Sequence, residues 1–238
     1  MAPPKLPASI SPLDASSYHH PDGGKVYAPL RAAVIKTATD MGYDVATMSE
    51  HGVVWADDQD PFGHVLGAAY PHWGAVTNFR LFESFAEQLG DKYDDLFKAR
   101  GIGVMTKSYE TNLKRPVSYP DSVRHLHLSY RTLVPNTLFA NCGTQVIVAV
   151  RIAEVLPDRY FAITSMWSLR QQAIVAQTRG YVVFFDYAKG KPANLVEAGG
   201  VYAKLHAALT ERADQSSKLA AEWENKNSKP SRSKKPKL

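Results

Sequence analysis

The chain has 238 residues, 45% hydrophobic and 21% charged, enough apolar material for one large or two small domains and too much for a disordered or fibrous chain. Its formal charge is +5, but the last 21 residues hold seven Lys/Arg against two Asp/Glu, and the rest of the chain balances. The folded part is therefore not basic, which removes the simplest support for a nucleic-acid surface, and no nucleic-acid partner is expected.

Residues 1–25 are rich in Pro, Ser, His and Gly, aperiodic and without an apolar run long enough for a signal peptide, and are expected to form a flexible leader. Between Val26 and Met41, Leu30, Val34, Ala38 and Met41 recur at helical spacing, with Gly42 as a stop. The clearest helix is predicted over Ala68 to Leu89, with Ala75, Phe79, Phe82, Ala86 and Leu89 on its buried stripe, Val76 and Phe85 widening it, and Gly90 closing it. Arg124 to Arg131 alternates as a half-buried strand, with Leu126, Leu128 and Tyr130 on one face and His125 and His127 on the other. Tyr160 to Leu169 alternates likewise. A polar turn at Arg170 to Gln172 then leads into the β-rich run Ala173 to Tyr187, so the two pair as an antiparallel hairpin in which Gly180 suits a bulge.

After Gly199-Gly200, Val201, Leu205 and Leu209 predict a short C-terminal helix. The folded domain is expected over 26–217 and a basic flexible tail over 218–238. One long helix followed by successive antiparallel strands is an α+β pattern, not the alternating units of a dinucleotide-binding fold. No stretch approaches the roughly 20 apolar residues of a membrane span. The single cysteine, Cys142, excludes an internal disulfide framework and a Cys-rich metal site and suits a reducing compartment, so a cytoplasmic location is expected. The terminal Pro236-Lys237-Leu238 differs at one position from the Ser-Lys-Leu peroxisomal address, and is otherwise the accidental end of a solvated tail.

Common motifs fail. Gly101-Ile-Gly103 lacks the third glycine of a phosphate cradle, and there is no Walker, His-Glu-x-x-His or Gly-x-Ser-x-Gly sequence. His125 and His127 have no third ligand in view, and the acidic run Asp57 to Gly63 has Ala69 where a calcium loop needs Glu, so no metal is expected.

The segment with chemistry is Val53-Val-Trp-Ala-Asp-Asp-Gln-Asp-Pro-Phe-Gly-His-Val-Leu-Gly67, a strand and an acidic loop delivering the chain to the long helix. This order sets a carboxylate beside backbone N–H groups at a positive helix end, where a carbonyl oxygen can be polarised while the carboxylate attacks or activates water. Spacing alone equally allows Asp58 and Asp60 to serve as Asx turns and helix caps.

Trp55 to Val65, with Tyr70 five residues on, resembles the Asp-x-Asp-x-x-Gly-His-Val…Tyr signature of the hot-dog-fold thioesterases of the 4-hydroxybenzoyl-CoA thioesterase type. Lys114-Arg-Pro-Val-Ser-Tyr-Pro-Asp121 and Val182 to Tyr187 with Gly190-Lys-Pro192 match later parts of that family in order, over about residues 50–195. The resemblance implies an antiparallel sheet wrapped around a long central helix, and homodimers or dimers of dimers joined sheet edge to sheet edge with active sites at the interface. It implies Asp60 as nucleophile or general base, the Gly67 N–H as holder of the thioester oxygen, and His64 as a loop residue near the carbonyl. Glu83 is a secondary catalytic candidate, and Lys114, Arg115 and Arg124 are candidate contacts for a coenzyme A or phosphopantetheine phosphate, or ordinary solvated charges.

Two features depart from the pattern. Leu66 stands where family members often have Asn, and Asn136 to Pro157 reads as an insertion, either a lid or a retained non-coding stretch of the gene. The expected function is hydrolysis of an acyl-CoA or carrier-protein acyl thioester without metal or redox cofactor. The alternatives are a hot-dog dehydratase or hydratase using His64 with Glu83, and a non-catalytic dimer that binds acyl groups or a protein.

Overall fold

The computed structural model describes residues 24–53, 58–98, 100–117 and 145–227. The leader up to Lys25 lies almost wholly outside them, as do the strand expected at 124–131, Arg124, His125, His127, Cys142 and the terminal tripeptide.

Helix α1 (Gly24–Asp40) presents the expected stripe: Val34 and Ala38 are buried, with Leu30 and Met41 packed around them. A single 3-10 turn, Val45–Thr47, is capped by the Asp44 side chain and leads into β1 (Ser49–Gly52). The next helix, α2 (Ala69–Glu83), is shorter than expected, because the chain turns at Ser84 and Phe85 before α3 (Ala86–Leu89). Of the expected stripe Val76, Phe82, Phe85 and Leu89 are buried, whereas Ala75 is exposed and Phe79 remains 42% exposed; Tyr70, Trp73, Thr77 and Leu81 complete the inward face. Gly74 lies on that face, its Cβ position 3.8 Å from Met166 and 3.9 Å from Thr164, so the helix lies close on the sheet there.

After α4 (Lys92–Phe97), four long strands follow: β2 (Ile102–Leu113), β3 (Gln145–Leu156), β4 (Arg159–Ser168) and β5 (Ala173–Asp186), with β6 (Lys191–Pro192) a short addition to β5. The antiparallel sheet runs β1-β3-β4-β5-β2. The β4–β5 hairpin is as predicted, with Gln172 in its turn at φ 49°. The irregularity near Gly180 sits in the partner strand: β2 shifts register between Thr106 and Ser108, and a Cβ on Gly180 would stand 2.0 Å from the Ser108 carbonyl oxygen. Gly180 therefore admits the bulge instead of forming it.

The segment expected as an insertion is corrected here. Gln145–Leu156 is β3, paired with β1 on one side and β4 on the other, and it cannot be removed without dividing the sheet. Val146, Val148 and Val150 pack under α2, while Ile147 and Ala149 pack under α1.

The C-terminal helix is likewise longer than expected. After α5 (Leu195–Ala198), capped by the Asn194 side chain, α6 runs from Gly200 to Asn227, so the first part of the expected tail is helix. Its buried residues Leu205, Leu209, Ala213, Ser216 and Ala220 face β3 where β1 no longer pairs with it. A long helix after the first strand, laid across an antiparallel sheet of this order, is the α+β hot-dog fold. Among the described residues no helix is long and apolar enough to cross a membrane.

Candidate active site

The acidic loop is a tight hairpin tied at three levels. Leu66 N–H donates to the Asp58 carbonyl at 2.6 Å, Asp60 N–H to the His64 carbonyl at 2.8 Å, and Gly63 N–H, at φ 78°, to the Asp60 carbonyl at 3.1 Å. Within it, Asp60 Oδ1 accepts the N–H groups of Phe62 and His64, each at 2.9 Å. This is the Asx turn that spacing alone allowed, and it fixes the carboxylate instead of hiding it. Asp60 Oδ2 points to the ring of His64, 3.7 Å from Nδ1, beyond a hydrogen bond.

A second segment is drawn alongside. Val65 N–H donates to the Val117 carbonyl at 2.8 Å, and Lys114 N–H and Arg115 N–H share the Val175 carbonyl at 2.8 and 3.1 Å. Together the two segments enclose a cavity of about 340 Å³ that brings Asp60, His64, Gly67, Lys114 and Arg115 to one place. Five of the residues singled out from sequence thus share one site.

At the start of α2, Ala68 occupies the cap position without a side-chain hydrogen bond, and Gly67 is exposed with nothing within 4 Å of its Cβ position. Ala69 N–H donates to the Leu66 carbonyl at 3.0 Å, and no cap side chain covers the N–H groups beside it, so the positive end of the helix is left to a carbonyl oxygen.

Tyr70 lines the same cavity and was not among the expected site residues. Burial, and then the charge of Asp60, push its hydroxyl up to about 12, so it remains a neutral donor at ordinary pH. The signal was already in the motif, which ends on this tyrosine, three residues after Gly67.

Glu83 is not part of this site. It ends α2, about 21 Å along the helix axis from Ala69, and its carboxylate lies 3.7 Å from Arg80. The His64–Glu83 pair that a dehydratase or hydratase would use is therefore not assembled within the chain. Of the aromatic residues on α2, Trp73 is fully buried core, whereas Phe79 and Phe82 line a separate cavity of about 210 Å³ with Leu96, Val104 and Tyr160.

A hot-dog fold with a carboxylate loop at the start of its long helix suits a thioester hydrolase, and the family gives the class. The chain belongs to the thioesterase-like superfamily, whose family profile matches residues 53–205. Among solved structures it is similar to a DHNA-CoA thioesterase from Staphylococcus aureus, at 15% identity and TM-score 0.46, covering 69% of this chain and 93% of that one. It is also similar to a hypothetical protein from Staphylococcus aureus in complex with CoA, at 9% identity and TM-score 0.49, covering 71% and 84% of the two chains. A thioesterase from Thermus thermophilus, complexed with coenzyme A and Zn, gives 16% identity and TM-score 0.45, covering 69% and 93%. No curated protein matches the chain.

Proposed function

We propose that the protein is an acyl thioesterase that hydrolyses an acyl-CoA or a carrier-protein-bound acyl thioester at the Asp60 cavity. The observation that carries this reading is the shared cavity itself: a fixed carboxylate, an uncapped helix start at Gly67 and two cations, Lys114 and Arg115, open into one space. The thioester oxygen accepts from the Gly67 N–H, which stabilises the charge that develops there as the carbonyl carbon becomes tetrahedral. Asp60 Oδ2 adds to that carbon, or takes a proton from the water that adds. The carbon–sulfur bond then breaks, and the thiolate leaves and takes up a proton. In the first case water cleaves the resulting acyl anhydride on Asp60. His64 and the neutral Tyr70 hydroxyl supply polarity beside the reacting carbon. Lys114 and Arg115 suit the phosphates of coenzyme A or phosphopantetheine.

The same reading includes a homodimer. Among the described residues β2 is the last strand of its side of the sheet, with Met105, Tyr109 and Leu113 exposed on it, which supports pairing with a second copy.

Release of free thiol from a panel of acyl-CoAs tests the assignment. Turnover by the wild type and a loss of about 100-fold or more in Asp60→Asn are expected. Equal rates would discard Asp60, and ligand affinity with no turnover on any substrate would identify a binding protein instead.

A further inference from the structure

On the face of the sheet turned away from α2, we propose a binding site for a phosphate-bearing anion, formed by Arg151 and Arg179 around the buried hydroxyl of Ser165. The strand register places Arg151, Ile163 and Arg179 in one row across β3, β4 and β5, with Ala149, Ser165 and Gln177 in the next. Each guanidinium group meets a side chain that bonds Ser165. Arg179 donates through Nε and Nη2 to Gln177 Oε1 at 3.1 and 2.9 Å, and Gln177 Nε2 donates to Ser165 Oγ at 3.0 Å. From the other side Tyr43 Oη lies 2.6 Å from the same Ser165 Oγ, and the Arg151 guanidinium carbon stands 5.6 Å from the centre of the Tyr43 ring.

Two observations point from this cluster to a ligand. Arg151 Nε is buried and has no hydrogen-bond partner among the described residues, an arrangement that native structures avoid unless an acceptor comes from elsewhere. Neither arginine is joined to a carboxylate among the described residues, whereas Arg31, Arg159 and Arg212 pair with Glu50, Asp158 and Asp44. The carboxylates on the surrounding elements do not fill the role. Glu110 stands opposite Arg179 on β2 but is exposed and makes no ion pair with it, and Glu154 accepts from the Tyr181 hydroxyl.

Two guanidinium groups on one row of the sheet, neither neutralised by a carboxylate among the described residues, supply two positive charges that suit a phosphate dianion, and the Arg151 Nε left without an acceptor suits one of its oxygens. Because the sheet separates this site from the Asp60 cavity, the ligand is not the phosphate of a substrate bound at that cavity. The inference stands apart from the thioesterase reading.

The test titrates inorganic phosphate and pyrophosphate into the full chain by calorimetry and thermal shift, with ionic strength held constant by chloride. Lys114→Gln/Arg115→Gln serves as the background, to remove anion binding at the other cavity. Saturable binding is expected in that background and is expected to weaken about tenfold or more in Arg151→Gln and in Arg179→Gln. Arg151→Lys keeps the charge but loses the fork, so it too should bind more weakly while leaving the fold intact. Thiol release by the single Arg151 and Arg179 variants in phosphate-free buffer should match the wild type. Absence of saturable binding, or equal affinity when both arginines are replaced by Gln, would overturn the site.

Discussion

Asp60 has two tasks in one side chain. Its Oδ1 holds the loop through two backbone N–H groups, and its Oδ2 faces the cavity beside His64. These tasks separate by substitution. Asp60→Asn retains an acceptor for both N–H groups, so it should lose turnover while its melting temperature changes by only about 1 °C. Asp60→Ala should lose turnover and also about 1 kcal/mol of stability, as deletion of a capping acceptor does, read from urea unfolding. Tyr70 makes a prediction on pH. Its ionisation is raised from 10 to about 12, so the neutral form is favoured by folding. The stability this supplies is complete below pH 10 and is lost as pH rises through 12. Tyr70→Phe should therefore flatten the fall in the urea midpoint over that interval, and an unchanged slope would remove Tyr70 from the account. At this scale the loop was legible, because Asp58, Asp60, Gly63 and His64 lie in one contiguous motif. Glu83 shares residue type and helix with such a site, but its distance along the helix axis keeps it from the Asp60 loop of its own chain.

Among the elements, β3 shows why a central strand escapes pattern reading. Val146-Ile-Val-Ala-Val150 has no polar alternation because both its faces are covered, one by α2 and the other by α1. The period-2 signal that revealed β4 exists only where one face of a strand meets water or polar partners. Helix α2 was legible as a helix and in the burial of Val76 and Phe82, but not in the exposure of Phe79, since it has aromatic residues on more than one side. Its start makes a further prediction. Leu66 is 40% exposed, and its carbonyl accepts from Ala69 N–H in the turn that opens α2. Leu66→Asn places a side-chain acceptor at this turn and should stabilise the protein by about 0.5–1 kcal/mol, a rise of about 2 °C in melting temperature. The same acceptor competes with a thioester oxygen for the first N–H groups, so turnover should fall as stability rises. A variant that gained both would show that those N–H groups do not serve the substrate.

For the molecule as a whole, α6 is structural where a tail was expected. Gly42, at φ 85°, lies so close to this helix that a Cβ there would stand 2.3 Å from the Ser216 carbonyl oxygen. Arg212 adds a second clasp, stacked 4.1 Å from the centre of the Phe85 ring and paired with Asp44 at 3.4 Å. Gly42→Ala should therefore destabilise the fold by about 2–3 kcal/mol, measured by urea unfolding, because the substitution combines an unfavourable φ with a backbone clash. Truncation separates helix from tail. Removing 228–238 should leave both melting temperature and thiol release unchanged, whereas removing 218–238 takes away the buried Ala220 and should lower the melting temperature. The charge excess that could be read from composition belongs to that distal segment, but its boundary with the folded domain depends on a helix whose polar residues hid its length.

The two sides of the sheet end differently. One finishes in a four-residue strand, with α6 lying along the remainder of β3, and the other, among the described residues, in the twelve-residue strand β2. In the proposed homodimer, recruitment through β2 is self-limiting: once two molecules join edge to edge, neither has that strand left to offer. Symmetric pairing of this kind would close after one step, giving a counted assembly instead of a growing fibre.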